Sequence, residues 1–223
     1  ITVVPNAVNV DNFVPCPRDV DLEAELDLSG KTVIGFIGSF AAYEGLDYLL
    51  DAASGLKESF GDRFQLLLVG DGLVYSELRA QARRLGIEDR VLFTGRIPHE
   101  QVPKYYSLID IAVFPRKGVR VCEVVSPLKP FEAMAMEKAV VSSDVKALAE
   151  IVEHEVTGLL HRKDDVDDLR LQLARLIESP ELRERLARRG REWVLENRSW
   201  AKVTESIEAV YEKLLDEAGL PSA

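Results

Sequence analysis

Short runs of β-branched and aliphatic residues alternate with longer stretches whose apolar positions recur every three to four residues. The runs 32–38, 64–70, 90–94, 109–114, 139–143 and 158–161 are near-continuously apolar, the pattern of strands covered on both faces. The stretches 45–58, 73–85, 101–107, 130–136, 147–153 and 166–178 carry the helical period. Strand then helix, six times over, predicts an α/β fold in which a parallel sheet has helices on both faces. The tail from 180 to 218 reads as helical throughout. Ser179 caps it, Pro180 fits its first turn, and Ser199 restarts it after Asn197. Residues 1–30 differ: Pro5, Pro15, Pro17 and an acidic stretch predict a linker into one domain spanning 31–198, with a separate terminal helix over 199–223.

Composition narrows the function. The 223 residues are 47% hydrophobic and 30% charged, enough to bury a core without disulfides or metals. Cys16 and Cys122 form no CxxC pair and have no histidine at ligand spacing, which predicts two ordinary thiols and no metal site. A net charge of −10 argues against a nucleic-acid partner, because such binding needs basic surface to displace counterions. A local basic pocket for a small anion stays compatible with that balance. No apolar run reaches the roughly 20 residues that span a bilayer. The opening run Ile1 to Pro5 is apolar and resembles no leader, which reads as a chain starting at a domain junction.

In an open parallel sheet, ligands bind outside the carboxyl ends of the strands. The residues there are Gly38 and Ser39 after the first run, Gly70 after the second, and Arg96, Ile97 and His99 after the third. Arg116, Lys117 and Arg120 follow the fourth, then Glu123 and the segment Ser126, Pro127, Leu128, Lys129, Pro130. Glycine lets backbone approach a ligand, and Arg96, Arg116, Arg120 and Lys129 concentrate positive charge in an acidic chain. Taken singly, each has a plainer reading: a turn glycine, a solvated loop face, or, for Glu132, a carboxylate favoured by a helix start. Neither G-x-G-x-x-G nor a Walker A run is present, and none of the three histidines stands at a spacing that marks a catalytic base. Pro127 and Pro130 suit the opening turns of a helix, whose free N–H groups at Leu128 and Lys129 would cradle a diphosphate. Glu132, one turn on, can accept two hydrogen bonds from vicinal ribose hydroxyls.

The segment "SPLKPFEAMAMEKAVVSSD" resembles the signature of glycosyltransferase family 4, and the likeness runs nearly the whole chain in order. "VPNAVNVDNF", "GFIGSFAAYEGLDYLL", "LLLVGDG", "VLFTGRIPHEQVPKYYSLIDIAVFPR" and "EIVEHEVTGLLHRKDDVDDL" resemble its other landmarks. The resemblance implies the Rossmann-like, donor-binding C-terminal half of a retaining GT-B enzyme. Its partner would be a UDP-, GDP- or ADP-linked sugar, without metal or other cofactor. The acceptor would bind an N-terminal domain, through which any membrane contact would also be made. The setting would be the cytoplasm or the inner membrane face, in polysaccharide or glycoconjugate assembly. Of the family's glutamate pair, the second matches Glu132. The first would fall on Val124, and the neighbouring Glu123 takes that sugar-side role. Glu123, Lys129 and Arg96 are thus the expected catalytic groups. The family's first-loop Arg and Lys are here Ser39 and Glu44, so phosphate neutralisation would pass to Arg96, Arg116, Arg120 or Lys129. The glycine that ends the signature helix is Glu137, which predicts a left-handed residue there. Two other readings stay open: a non-catalytic nucleotide-binding scaffold, and another GT-B enzyme such as an epimerase or phosphorylase.

Overall fold

Strand β1 (Thr32–Ile37) pairs residue for residue with β2 (Phe64–Val69), Thr32 against Phe64 through Ile37 against Val69. In the computed structural model, which describes residues 4–217, this pair lies within a sheet with β3 (Val91–Gly95), β4 (Ile111–Phe114), β5 (Ala139–Ser143) and β6 (Leu159–His161). All pairings are parallel and the order is β3-β2-β1-β4-β5-β6. The winding direction reverses between β1 and β4, so a crevice opens where those two strands end. The apolar runs are continuous because both faces are covered. Every residue of β2, β4 and β5 is buried.

The layers over the sheet are α2 (Leu46–Phe60), α3 (Tyr75–Arg84), α4 (Val102–Leu108), α6 (Lys129–Ala135), α8 (Val166–Glu178) and α9 (Pro180–Asn197). Helix α2 turns Leu46, Leu49, Leu50, Ala53, Leu56 and Phe60 inward, an amphipathic stripe at helical spacing. Asp165 caps α8 by accepting from Asp168 N, and Ser179 caps α9 by accepting from Leu182 N. These caps satisfy donors that a helix start leaves unpaired. Glu137 has φ 55°, the expected left-handed residue. Behind it Lys138 N donates to Ala133 O, closing the end of α6.

Three details differ from the sequence reading. Helices α1 (Val20–Glu25) and α5 (Arg120–Val124) lie in stretches read as linker and loop. Both are too short for a period to show, and α1 is nucleated by the Asp19 cap. The helix expected over 147–153 is only α7 (Lys146–Ala149), because the chain leaves it to bury Ile151 and Val152. Finally, the leading segment is packed: Val8, Phe13, Leu22 and Leu28 are buried in the same core as the sheet. Val8 N donates to Arg198 O at 2.8 Å, tying that segment to the junction of α9 with α10 (Trp200–Glu217). Residues 1–3 lie outside the described residues, as do 218–223, the last part of the terminal helix expected over 199–223. Among the described residues no helix is long and apolar enough to cross a membrane.

Candidate functional site

The ends of β1 and β2 form a notch made of backbone. Gly70 has φ +134°, and a Cβ there would stand 1.9 Å from the carbonyl oxygen of Gly38. Gly38 has φ +150°, and a Cβ on it would meet Lys129 Cε at 2.2 Å. Only glycine permits both the close approach and these angles. Around the notch is a cleft of 280 Å³, lined by Gly38, Ser39, Gly70, Asp71, Arg96, Ile97 and His99 among others. Of the predicted residues it therefore gathers Gly38, Ser39, Gly70, Arg96 and Ile97. Arg96 reaches into solvent, with 83% of its side chain exposed, and lies 3.7 Å from Asp71 Oδ2.

The start of α6 reaches the edge of this notch through Lys129, which packs over Gly38. Lys129 crosses Gly38 and its Nζ lies 2.6 Å from Glu44 Oε1. The same carboxylate takes Arg116, Nε to Oε2 at 3.2 Å and Nη2 to Oε1 at 3.2 Å. Side-chain exposure rises from 2% at Glu44 through 8% at Arg116 to 22% at Lys129. The carboxylate is thus the most buried member of the trio and the lysine the most open. Two cations against one anion leave one unit of positive charge. Lys129 Nζ also lies 5.2 Å above the Phe36 ring, a favourable cation–π contact. Arg116 Nη1 donates to Val125 O at 3.2 Å, so the guanidinium joins the first loop to the segment 125–129. Pro127 is buried, while Leu128 is 46% exposed beside Lys129.

Glu132 is half-buried in the first turn of α6. Burial raises its pKa, opposed by the nearby charges of His99 and Lys129 and by the Tyr106 hydroxyl. Of these neighbours His99 lines the cleft, and Glu132 is not itself among the lining residues. Glu123 is engaged by neighbours outside the cleft lining. Its Oε2 accepts from Lys146 N at 2.7 Å and its Oε1 pairs with Lys163 Nζ at 2.6 Å, which together hold its pKa below the ordinary value. It serves the start of α7. Ser126 lends its carbonyl oxygen to Asn6 Nδ2 at 3.2 Å. Arg120 opens α5 and is exposed.

Sequence reasoning missed the residue that organises this arrangement. Glu44 reads as a lost phosphate contact, yet it is the shared counterion of Arg116 and Lys129. Its one signal was a carboxylate in a loop whose partners across the cleft are basic. His99, placed after the third strand by the sequence, begins a 3₁₀ turn and lines the cleft. A larger cavity, 360 Å³, lies on the far side of the first loop between Ala41, Ala42 and α3. Its lining holds no glycine, and its Lys117 is already paired with Asp47 at 2.7 Å.

Comparison with known proteins fits this geometry. A mannosyltransferase of Mycobacterium leprae, described as phosphatidyl-myo-inositol mannosyltransferase, is 32% identical over 210 residues, covering 94% of this chain and 52% of its own. The chain spans 42% to 55% of the length of the first curated relatives it matches. The solved C-terminal domain of a glycosyl transferase group 1 family protein, LpcC of Francisella tularensis, superposes with a TM-score of 0.75 at 22% identity, over 86% of this chain and 99% of that one. The Anabaena protein HepE, solved in complex with UDP, superposes with a TM-score of 0.80 at 23% identity, over 95% of this chain and 57% of that one. Both share the fold. The profile of the family described as "Glycosyl transferases group 1" matches residues 18–193, and the chain belongs to that family, with the parallel Rossmann-like sheet of the GT-B glycosyltransferases.

Proposed function

We propose that this chain is the donor-binding part of a retaining glycosyltransferase, moving a hexose-type sugar from a nucleotide sugar to an acceptor in polysaccharide or glycoconjugate assembly. One observation carries the reading: the backbone notch at Gly38 and Gly70, at the ends of β1 and β2, meets Lys129, which shares its counterion Glu44 with Arg116. The diphosphate lies over Gly38 and Ser39, against Lys129. Breaking the sugar–phosphate bond builds negative charge there, and preorganised cations lower that barrier. Glu132 receives the ribose, and the base occupies the cleft beside Gly70, Arg96 and Ile97. The sugar extends toward Ser126 and Glu123, whose carboxylate exchanges Lys163 for sugar hydroxyls. The UDP held by the Anabaena protein supports a nucleotide donor. The part of the curated relatives that this chain does not span supports a separate acceptor-binding domain, which any membrane contact would also involve. Helix α10, with Trp200, Tyr211 and Leu214 half or more exposed, crosses to that domain. The site of action is the cytoplasm or its membrane face.

Titrating the chain with UDP-, GDP- and ADP-sugars tests this. One of the three should raise the unfolding temperature, since ligand at ~100 times its dissociation constant adds about 2.7 kcal/mol. No transfer should be detected, because the acceptor is not brought to the donor. Absence of stabilisation by all three overturns the reading, and turnover by this chain alone overturns the division of labour.

One observation favours a second reading, a non-catalytic nucleotide-binding module: Glu123 is occupied by Lys163 and Lys146 N. That reading predicts nucleotide binding that gains nothing from an attached sugar, whereas the donor reading predicts tighter binding of the nucleotide sugar than of the nucleoside diphosphate in a Glu123-dependent manner.

A further inference from the structure

Glu44 inverts the charge expected of its place. It lies in the first loop beside the cleft, where an anion-binding domain gains most from a cation, and it is among the most buried charged groups of the described residues. Its backbone position is set by the fold. Tyr43 O accepts from Lys117 N at 3.0 Å and from Cys122 Sγ at 3.6 Å, so the turn that carries Glu44 is stitched to the loop after β4. The carboxylate is then committed on both oxygens, to Arg116 on two nitrogens and to Lys129 on one.

Resting on the donor-site reading above, we infer that Glu44 is a positioning residue that acts through Lys129, fixing the ammonium across Gly38 so that a diphosphate meets a preformed cation. A lysine side chain is rotamer-rich and loses that freedom when it binds. Here the loss is taken before the ligand arrives, because Glu44 holds Nζ at 2.6 Å while Phe36 lies beneath it. The ammonium keeps donors for the phosphate, having three in all. Glu44, at 2% exposure against 22% for Lys129, lies behind the cation and does not itself face the anion. The same carboxylate keeps Arg116 satisfied in a buried place, where an unpaired guanidinium would be costly.

The inference makes a prediction opposite in sign to simple charge counting. Glu44→Gln removes a negative charge near the anion site, so Coulomb's law alone predicts tighter nucleotide binding. Positioning predicts weaker binding.

Calorimetric titration of the 223-residue chain with UDP, GDP and ADP, and with the matching nucleosides, decides between them. For the nucleoside diphosphate that binds the wild-type chain, Glu44→Gln should weaken binding about tenfold, the size of a lost charge-assisted contact. The nucleoside should bind unchanged. In a Lys129→Met background, Glu44→Gln should weaken diphosphate binding much less than in the parent, because the residue through which it acts on the ligand is gone and only the unpairing of Arg116 remains. Glu44→Asp, which keeps the charge on a shorter stem, serves where the glutamine variant unfolds. It too should weaken the diphosphate and spare the nucleoside. Tighter or unchanged diphosphate binding in the Glu44 variants, or equal losses with and without Lys129, would overturn the inference alone. Failure of the wild-type chain to bind any of the three diphosphates would overturn the donor-site reading and this inference with it.

Discussion

The carbonyl oxygen of Gly38 lies 1.9 Å from where a Cβ of Gly70 would stand, so the ends of β1 and β2 touch through backbone alone. Gly70→Ala inserts a methyl group against that oxygen and forces φ +134° on an L-residue. Backbone strain of this kind costs about 1–3 kcal/mol, and the clash adds to it. Urea denaturation should show a lower midpoint with an unchanged slope. A variant as stable as the parent would mean that the notch relaxes freely.

Gly38→Ala meets something softer, the Cε of Lys129 at 2.2 Å. The lysine can swing aside, so the loss of stability should be smaller than for Gly70→Ala. The loss of diphosphate binding should be larger, since the methyl displaces the cation and fills the notch. Titration with UDP, GDP and ADP beside a denaturation curve separates the two effects. Undiminished diphosphate affinity would remove Gly38 from the site.

Glu132 and Lys129 should fail in different ways. Glu132→Gln keeps shape and loses a charge-assisted acceptor, a loss of about 1.5–3 kcal/mol, which should appear with the nucleoside as well as with the full donor. Lys129→Met should weaken diphosphate binding, leave the nucleoside alone and reduce the salt sensitivity. Equal losses for every ligand in both variants would indicate damaged folding and end the assignment.

Acidification should weaken nucleoside binding through Glu132. Burial raises its pKa, so its charged form, the better acceptor for ribose, is lost on lowering the pH while ordinary glutamates, near pH 4.3, are still ionised. The linkage to stability has the opposite sense. The folded state binds this proton more readily than the unfolded one, so Glu132's contribution to stability is fully present below the unfolded pKa. It is lost as pH rises through the folded value. Nucleoside affinity followed from neutral pH downward should fall in the parent and stay flatter in Glu132→Gln. Parallel curves would show that another group titrates.

Glu137→Gly should stabilise the domain. Glu137 is exposed and holds φ 55° at the end of α6, a conformation that costs an L-residue about 1–2 kcal/mol. The greater freedom of glycine in the unfolded chain takes back part of this. The expected net gain is about 0.5–1 kcal/mol, seen as a higher midpoint of thermal or urea unfolding with nucleotide binding unchanged. A loss of stability would show that the glutamate side chain makes a contact worth more than the strain.

The local pattern alone determined the succession of strands and helices and the parallel sheet covered on both faces. Continuous apolar runs such as 64–69 and 139–143 have no polar face to present to water, so they require cover on both sides. Ser179 and Pro180 marked their helix start because capping is a matter of a few neighbouring atoms. Glu137 could be read as left-handed because the family resemblance puts a helix-ending glycine at its position. What the tertiary structure decided was which charges meet. Glu44 and Lys129 are 85 positions apart, and nothing between them in the chain indicates that the carboxylate lies beneath the ammonium. Their pairing depends on β1 and β4 being neighbours, which is a property of strand order. The same holds for Glu123. Its position in the chain beside Val124 points to the cleft, while the packing of α5 against α7 turns it toward Lys146 and Lys163. Electrostatic partners are chosen by distance in space, and only the fold sets that distance.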